Sequence, residues 1–195
     1  MANLEPPSNT SHHIAVIDPA MRVPELDCFN RIAQESRCWT TYHLPALYGL
    51  DSLQQLSESR FHGIVILGSG ASVYDGLPWQ DPLHAWVYDQ ACKGVPTIGL
   101  CYGHQLLAHI FGGVIEHLWN GEKKRGTRPV TVYDPTLMAV ERTAPLVISH
   151  REGITVCPKG FSVCAHSADV TIDGIAHSRL PIWGFQPHIE ATAGL

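Results

Sequence analysis

Seven consecutive residues, Gly99-Leu100-Cys101-Tyr102-Gly103-His104-Gln105, form the strongest chemical signal in the chain. An apolar run ends at Gly99, a G-x-C-x-G pentapeptide turns the chain, and a helical pattern follows. This is the layout of a nucleophile elbow with cysteine in the reactive position. The two glycines let the backbone turn sharply without Cβ clashes. The thiol is then presented over the carboxyl edge of a sheet, and the N-terminus of the next helix favours thiolate over thiol. The N–H of Tyr102, one residue past the cysteine, is suited to donate to an oxyanion. Taken alone, the pentapeptide fits a buried cysteine at a tight strand–helix turn equally well.

A thiolate nucleophile needs a base, and the base needs an orienting group. His188 and Glu190 close an apolar run that starts at Trp183. Residues two apart on extended chain face the same side, so the carboxylate is able to orient the ring or stabilise the imidazolium. H-x-E pairs are common, and twelve histidines make a chance pairing easy. A third element is the loop from Leu67 to Asp75, with Gly68-Ser69-Gly70 at its start. It also follows an apolar run, so it shares the carboxyl edge where open α/β sheets bind ligands. It offers a second backbone N–H for an oxyanion, although by itself it reads as a plain loop. It lacks the lysine of a phosphate-binding loop and the third glycine of a dinucleotide site.

These residues need elements to hold them. Apolar runs at 14–17, 39–44, 63–67 and 95–100 predict strands, with Asp18-Pro19 and Pro45 closing the first two. Helical spacing predicts helices at 25–36 (Leu26, Phe29, Ile32, Ala33), 51–59 (Asp51 as N-cap), 81–92 and 102–111, the last stopped by Gly112-Gly113. Apolar strands alternating with helices predict an α/β fold of three layers, with a mostly parallel central sheet covered on both faces. After Gly113 only β-like runs follow, at 130–133, 146–149, 153–156, 161–166, 169–175 and 182–186. They predict a smaller antiparallel sheet in the second half. Residues 1–13, with Pro6-Pro7, read as a flexible arm, and 14–195 as one domain.

Composition narrows the possibilities. With 195 residues, the chain holds one domain of ordinary size. Apolar residues make up 45% and charged ones 16%, which excludes a disordered chain. A net charge of −5 gives no basic face for nucleic acid or an anionic membrane. No apolar stretch has the length to span a bilayer, and no signal peptide is evident. The six cysteines lie far apart with no C-x-x-C pair, which suggests free thiols in a reducing cytoplasm.

The order of oxyanion loop, elbow and terminal His-x-Glu resembles the class I glutamine amidotransferase family over nearly the whole chain. The family's elbow, G-[IVL]-C-x-G-x-Q, is matched from Gly99 to Gln105. Its terminal Q-F-H-P-E is matched by Gln186-Pro187-His188-Ile189-Glu190, and its T-G-S-x-x-S-V loop by residues 67–73. Members akin to the amidotransferase half of GMP synthetase carry S-H-G-D, where this chain has Ser149-His150-Arg151-Glu152. The resemblance implies a flavodoxin-like sheet and a Cys101–His188–Glu190 triad. It implies an oxyanion hole from the Tyr102 and Ser69 N–H groups beside Gly68, and substrate contacts from Gly70, Gln105, Ser149, His150 and Arg151. It also implies hydrolysis of glutamine to glutamate and ammonia through a thioester, with no metal or organic cofactor.

Departures from the family leave several readings. Proline stands before His188 instead of after it, Arg151 replaces the usual glycine, and the chain stops five residues past Glu190. It reads as short or truncated, without room for a synthetase domain. One reading is a glutaminase that feeds a separate synthetase enzyme. A second is a γ-glutamyl peptidase acting on other γ-glutamyl compounds, and a third is a catalytically quiet binding module.

Overall fold

The computed structural model describes residues 12–58, 61–137 and 140–191. Eight residues separate the first strand from helix α1, and the alternation anticipated from the apolar runs continues. The elements are β1 (His13–Ile17), α1 (Leu26–Ser36), β2 (Trp39–His43), α2 (Pro45–Tyr48), α3 (Asp51–Glu58), β3 (Gly63–Ile66), α4 (Gln80–Cys92), β4 (Thr97–Leu100) and α5 (Tyr102–Ile110). Strands follow: β5 (Val114–His117), β6 (Lys124–Val132), β7 (Arg142–His150), β8 (Glu152–Val156), β9 (Phe161–His166), β10 (Gly174–His177) and β11 (Ile182–Phe185). Residues 1–11 of the expected arm lie outside the described residues, and His13 already opens β1.

One nine-stranded sheet carries the fold, in the order β2-β1-β3-β4-β11-β10-β9-β6-β7. Its first five strands are parallel and the rest antiparallel. Most second-half strands therefore extend the main sheet, and only β5 and β8 form the separate antiparallel pair. Side chains alternate between two cores. Ala15, Ile17 and Ile66 pack with Leu53, Leu83, Val87 and Leu106 of α3, α4 and α5. Val16, Leu67, Leu100 and Phe185 pack on the other face with Cys28, Phe29 and Ile32 of α1. Burial on both faces is what makes the parallel strands read as continuous apolar runs.

Two expectations need correction. The run at 169–175 is not one strand: Ser167 and Val170 close a turn, and β10 starts only at Gly174. Asp173, fully buried, ends that turn with its N–H on the Ala165 carbonyl and its carboxylate on Arg128. β6 and β7 are each nine residues, longer than their apolar runs. Pro129 and Pro145 interrupt the pattern, yet they stand opposite each other in the ladder. A pair with no N–H to give fits a rung that needs none.

Candidate active site

Cys101 sits between β4 and α5 with φ 52° and ψ −101°, a strained conformation for a side-chain-bearing residue. Close packing enforces the turn. A Cβ on Gly99 would lie 2.3 Å from the Gly103 carbonyl oxygen, and one on Gly103 would lie 2.4 Å from that of Ile66. Backbone cannot yield as a flexible side chain does, so both positions need glycine. The Cys101 N–H donates to Phe185 (2.8 Å), which ties the elbow to β11. Tyr102 is the first residue of α5, so its N–H has no intrahelical acceptor. Its hydroxyl is buried under α4, between Gln80 and His84 at 3.1 Å each.

β11 runs parallel to β4, with Phe185 beside Leu100, and so carries the chain end to the same edge. His188 follows, its N–H on the Val147 carbonyl of β7 at 2.8 Å. This bridge joins the outer edge of the antiparallel half back to the segment after β11. The His188 Nδ1 meets Glu190 Oε1 at 2.8 Å. Burial works against charge on His188, but the hydrogen bonds and charges of Cys101 and Glu190 outweigh it and raise its pKa to about 10. Near neutral pH the ring is therefore an imidazolium. A Cβ on Gly68 would come within 2.9 Å of His188 Cε1 and 3.5 Å of Cys101 Cβ, so the three residues meet there.

The loop after β3 is tethered from below. Ser69 Oγ donates to the Pro19 carbonyl at 2.8 Å and accepts from the Ala71 N–H at 3.2 Å. Its side chain is thus occupied, and only its backbone is left for a substrate. Asp18, fully buried at the end of β1, holds the neighbouring loop through the Ala20 and Glu25 N–H groups and the Tyr42 hydroxyl.

Two adjoining cavities meet at Cys101 and share Ser69, Gly70, Lys123 and Ser149. The smaller, about 40 Å³, extends toward Gln105, His150, Arg151 and Glu152. The larger, about 340 Å³, opens past Gly68 and His188 toward Met21, Arg22 and Glu25. Gln105 is buried and its amide nitrogen is fully used, donating to the Glu152 carbonyl and to Gln186 Oε1 at 3.0 Å each. Its oxygen remains as an acceptor for the cavity. His150 Nδ1 lies 2.8 Å from the Glu152 carbonyl, and burial lowers its pKa to about 4, with Arg128, His188 and Lys123 adding to the effect. It is a neutral ring. Arg151, by contrast, is exposed.

Of the residues singled out from the sequence, Gly68, Ser69, Gly70, Cys101, Gln105, Ser149, His150, Arg151 and His188 line these cavities, Glu190 stands behind His188, and the Tyr102 side chain packs under α4. Two further side chains belong with them. Lys123, between the cavities, has no ion-pair partner among the described residues. It belongs to an aperiodic stretch that carried no signal. Gln186, completely buried, places its amide nitrogen 3.6 Å from Cys101 Sγ. Its place beside the His-x-Glu pair was its only sequence mark. Among the described residues, no three His, Cys, Asp or Glu side chains gather so as to hold a metal ion.

Comparison with known proteins agrees with this architecture. Residues 39–195 match the family described as glutamine amidotransferase class-I. A GMP synthase [glutamine-hydrolyzing] of Thermosynechococcus vestitus is 36% identical over 142 residues, which is 71% of this chain and 25% of that one. Its counterpart in Prochlorococcus marinus is 30% identical over 197 residues, covering 98% and 34%. The chain therefore spans a quarter to a third of these relatives. A putative GMP synthase subunit from Thermoplasma acidophilum superposes with a TM-score of 0.74 at 22% identity, over 92% of this chain and 85% of that one. A glutamine amidotransferase from Thermotoga maritima gives 0.70 at 20% identity, over 92% and 76%. At such identities the structural likeness concerns the fold.

Proposed function

The chain belongs to the class I glutamine amidotransferase family, and on that premise we propose that it hydrolyses the side-chain amide of glutamine to glutamate and ammonia through Cys101. One observation carries the reading: a cysteine at a strained elbow faces a histidine whose other nitrogen is held by a buried carboxylate. The ionised thiol attacks the amide carbon, and negative charge develops on the amide oxygen. The N–H groups of Tyr102 and Ser69 receive it, as preorganised donors. His188, already protonated, gives its proton to the departing nitrogen, and the C–N bond breaks. Water, deprotonated by the now neutral His188, then cleaves the thioester and regenerates the thiolate. Nucleophile, acid–base and water complete the cycle without metal or organic cofactor.

The substrate's amino-acid end fits the smaller cavity. Its α-ammonium suits the free Gln105 oxygen, and its α-carboxylate suits Arg151, Lys123 and the turn at Ser149–His150. Arginine in place of glycine offers a bidentate partner for a carboxylate. The ammonia passes to an acceptor enzyme, a reading supported by the glutamine-hydrolysing GMP synthases among the relatives. The test is glutamate release from glutamine by the purified protein and by Cys101→Ala. Equal release from both sinks the proposal.

The larger cavity favours a second substrate class. It opens beside His188, where a leaving amine departs, and at about 340 Å³ it exceeds what ammonia needs. A γ-glutamyl amide of an amino acid would fill it, with Arg22 and Lys123 near its carboxylate. Hydrolysis of γ-glutamylglycine in preference to glutamine would establish this class; the reverse preference leaves glutamine as substrate.

A further inference from the structure

The sulfur of Cys101 touches a second side chain that the reaction above does not use. Gln186 has no solvent exposure, and its backbone N–H is fixed on the Asp173 carbonyl at 2.8 Å. Its amide bridges Gln105 and Cys101. The orientation of that amide follows from hydrogen-bond logic. The Glu152 carbonyl oxygen only accepts, so the Gln105 group 3.0 Å from it is the NH2. That same NH2 faces Gln186 at 3.0 Å, and only the Gln186 oxygen accepts there. The Gln186 NH2 is therefore turned to the sulfur, 3.6 Å away. A flipped amide would set two NH2 groups against each other and an oxygen against sulfur.

We propose that Gln186 is a positioning residue for the nucleophile: its amide N–H donates to the Cys101 sulfur, and Gln105 holds that amide in the donating orientation. The need for such a donor follows from burial. The cysteine is 5% exposed, and a largely buried anion needs hydrogen bonds to persist. His188 approaches from the Gly68 side, and Gln186 approaches from the Gln105 side. Two donors on different sides fix the direction of Sγ as well as its charge. The donor also serves when the thioester breaks, because the sulfur leaves as an anion. The proposal rests on Cys101 being the nucleophile, but its test needs no substrate.

The test is alkylation by iodoacetamide across pH, followed on the Cys101 peptide by mass spectrometry. Gln186→Met keeps the volume and removes the donor. Below the alkaline plateau, Cys101 alkylation should fall about tenfold, the effect of one hydrogen bond to a charged group, while the plateau rate stays the same. Gln105→Met should act in the same direction, and the double variant should fall no further than Gln186→Met. Cys164, buried at the opposite core, is the internal reference for an intact fold. If Gln186→Met makes Cys164 reactive, Gln105→Met decides, since it leaves Gln186 in place and removes its orienting partner. A Cys101 profile in the deciding variant that superimposes on the wild type overturns the proposal. Failure to hydrolyse glutamine leaves this outcome unaffected and counts against the substrate reading alone.

Discussion

The parallel and antiparallel halves of the sheet serve the site by different means. In the parallel half, β3, β4 and β11 end at one edge, and steric compulsion sets each group there. Gly99, Gly103 and Gly68 have no room for a Cβ, and Cys101 is held at positive φ. In the antiparallel half, long strands bring Ser149, His150 and Arg151 to the cleft on one bridge, Val147 to His188. The first half fixes its groups by close backbone packing. The second presents polar side chains along a strand end, His150 buried on the Glu152 carbonyl and Arg151 exposed. In the proposed reaction chemistry and substrate choice are divided between the halves, and each can be disturbed separately.

Cys101→Ala should bring the largest change. Glutamine hydrolysis should drop by about a thousandfold or more, as in other enzymes that lose a nucleophile, with the fold intact by circular dichroism. Hydrolysis that survives would move the chemistry out of the parallel half. Gly103→Ala comes next. Its Cβ meets backbone at 2.4 Å, so unfolding free energy in denaturant should fall by about 3 kcal/mol. An unchanged midpoint would mean that the elbow tolerates slack and that the contrast with the antiparallel half is overstated.

Glu190→Gln probes the electrostatics of the parallel edge. In the native protein His188 is raised to about 10 by Cys101 and Glu190 against its burial. A group raised on folding stabilises fully below its unfolded value, near 6.5, and that stability is lost as pH climbs to the folded value. The wild-type advantage over Glu190→Gln should therefore be greatest near pH 6 and vanish toward pH 10. A gap that is flat or widens with pH in denaturant titrations would refute this account of His188. The smallest effect belongs to the antiparallel half. Arg151→Gly should raise KM for glutamine about tenfold, the weight of one charged hydrogen bond, with kcat changed less than twofold. A fall in kcat instead would give Arg151 a part in the chemistry and blur the division.

Legibility follows the same line. The elbow could be read because its requirements are local: a strand, two glycines and a helix start within seven residues. The strands buried on both faces were legible from their apolar runs. Where prolines and polar residues interrupt β6 and β7, the pattern understated their length, because pairing with a partner strand overrides local propensity. Lys123 escaped notice, and Gln186 was read only as part of the terminal motif, for another reason. Their importance lies in what they face, and nothing local distinguishes a lysine over a cavity from one in water.

By itself the sequence offered the candidate reactive residues and determined the sharp turn that carries the thiol, since sterics over a few bonds dictate that turn. It also determined the three-layer alternation, through the periodicity of apolar side chains. Only the tertiary structure decided that β11 lies beside β4 and sets His188 against Cys101 across 87 positions of chain. Only it decided the order in which Glu152, Gln105, Gln186 and the sulfur share their hydrogen bonds. Such contacts arise from strand pairing and burial over long separations, where each donor is assigned by the acceptors that the rest of the fold leaves within reach.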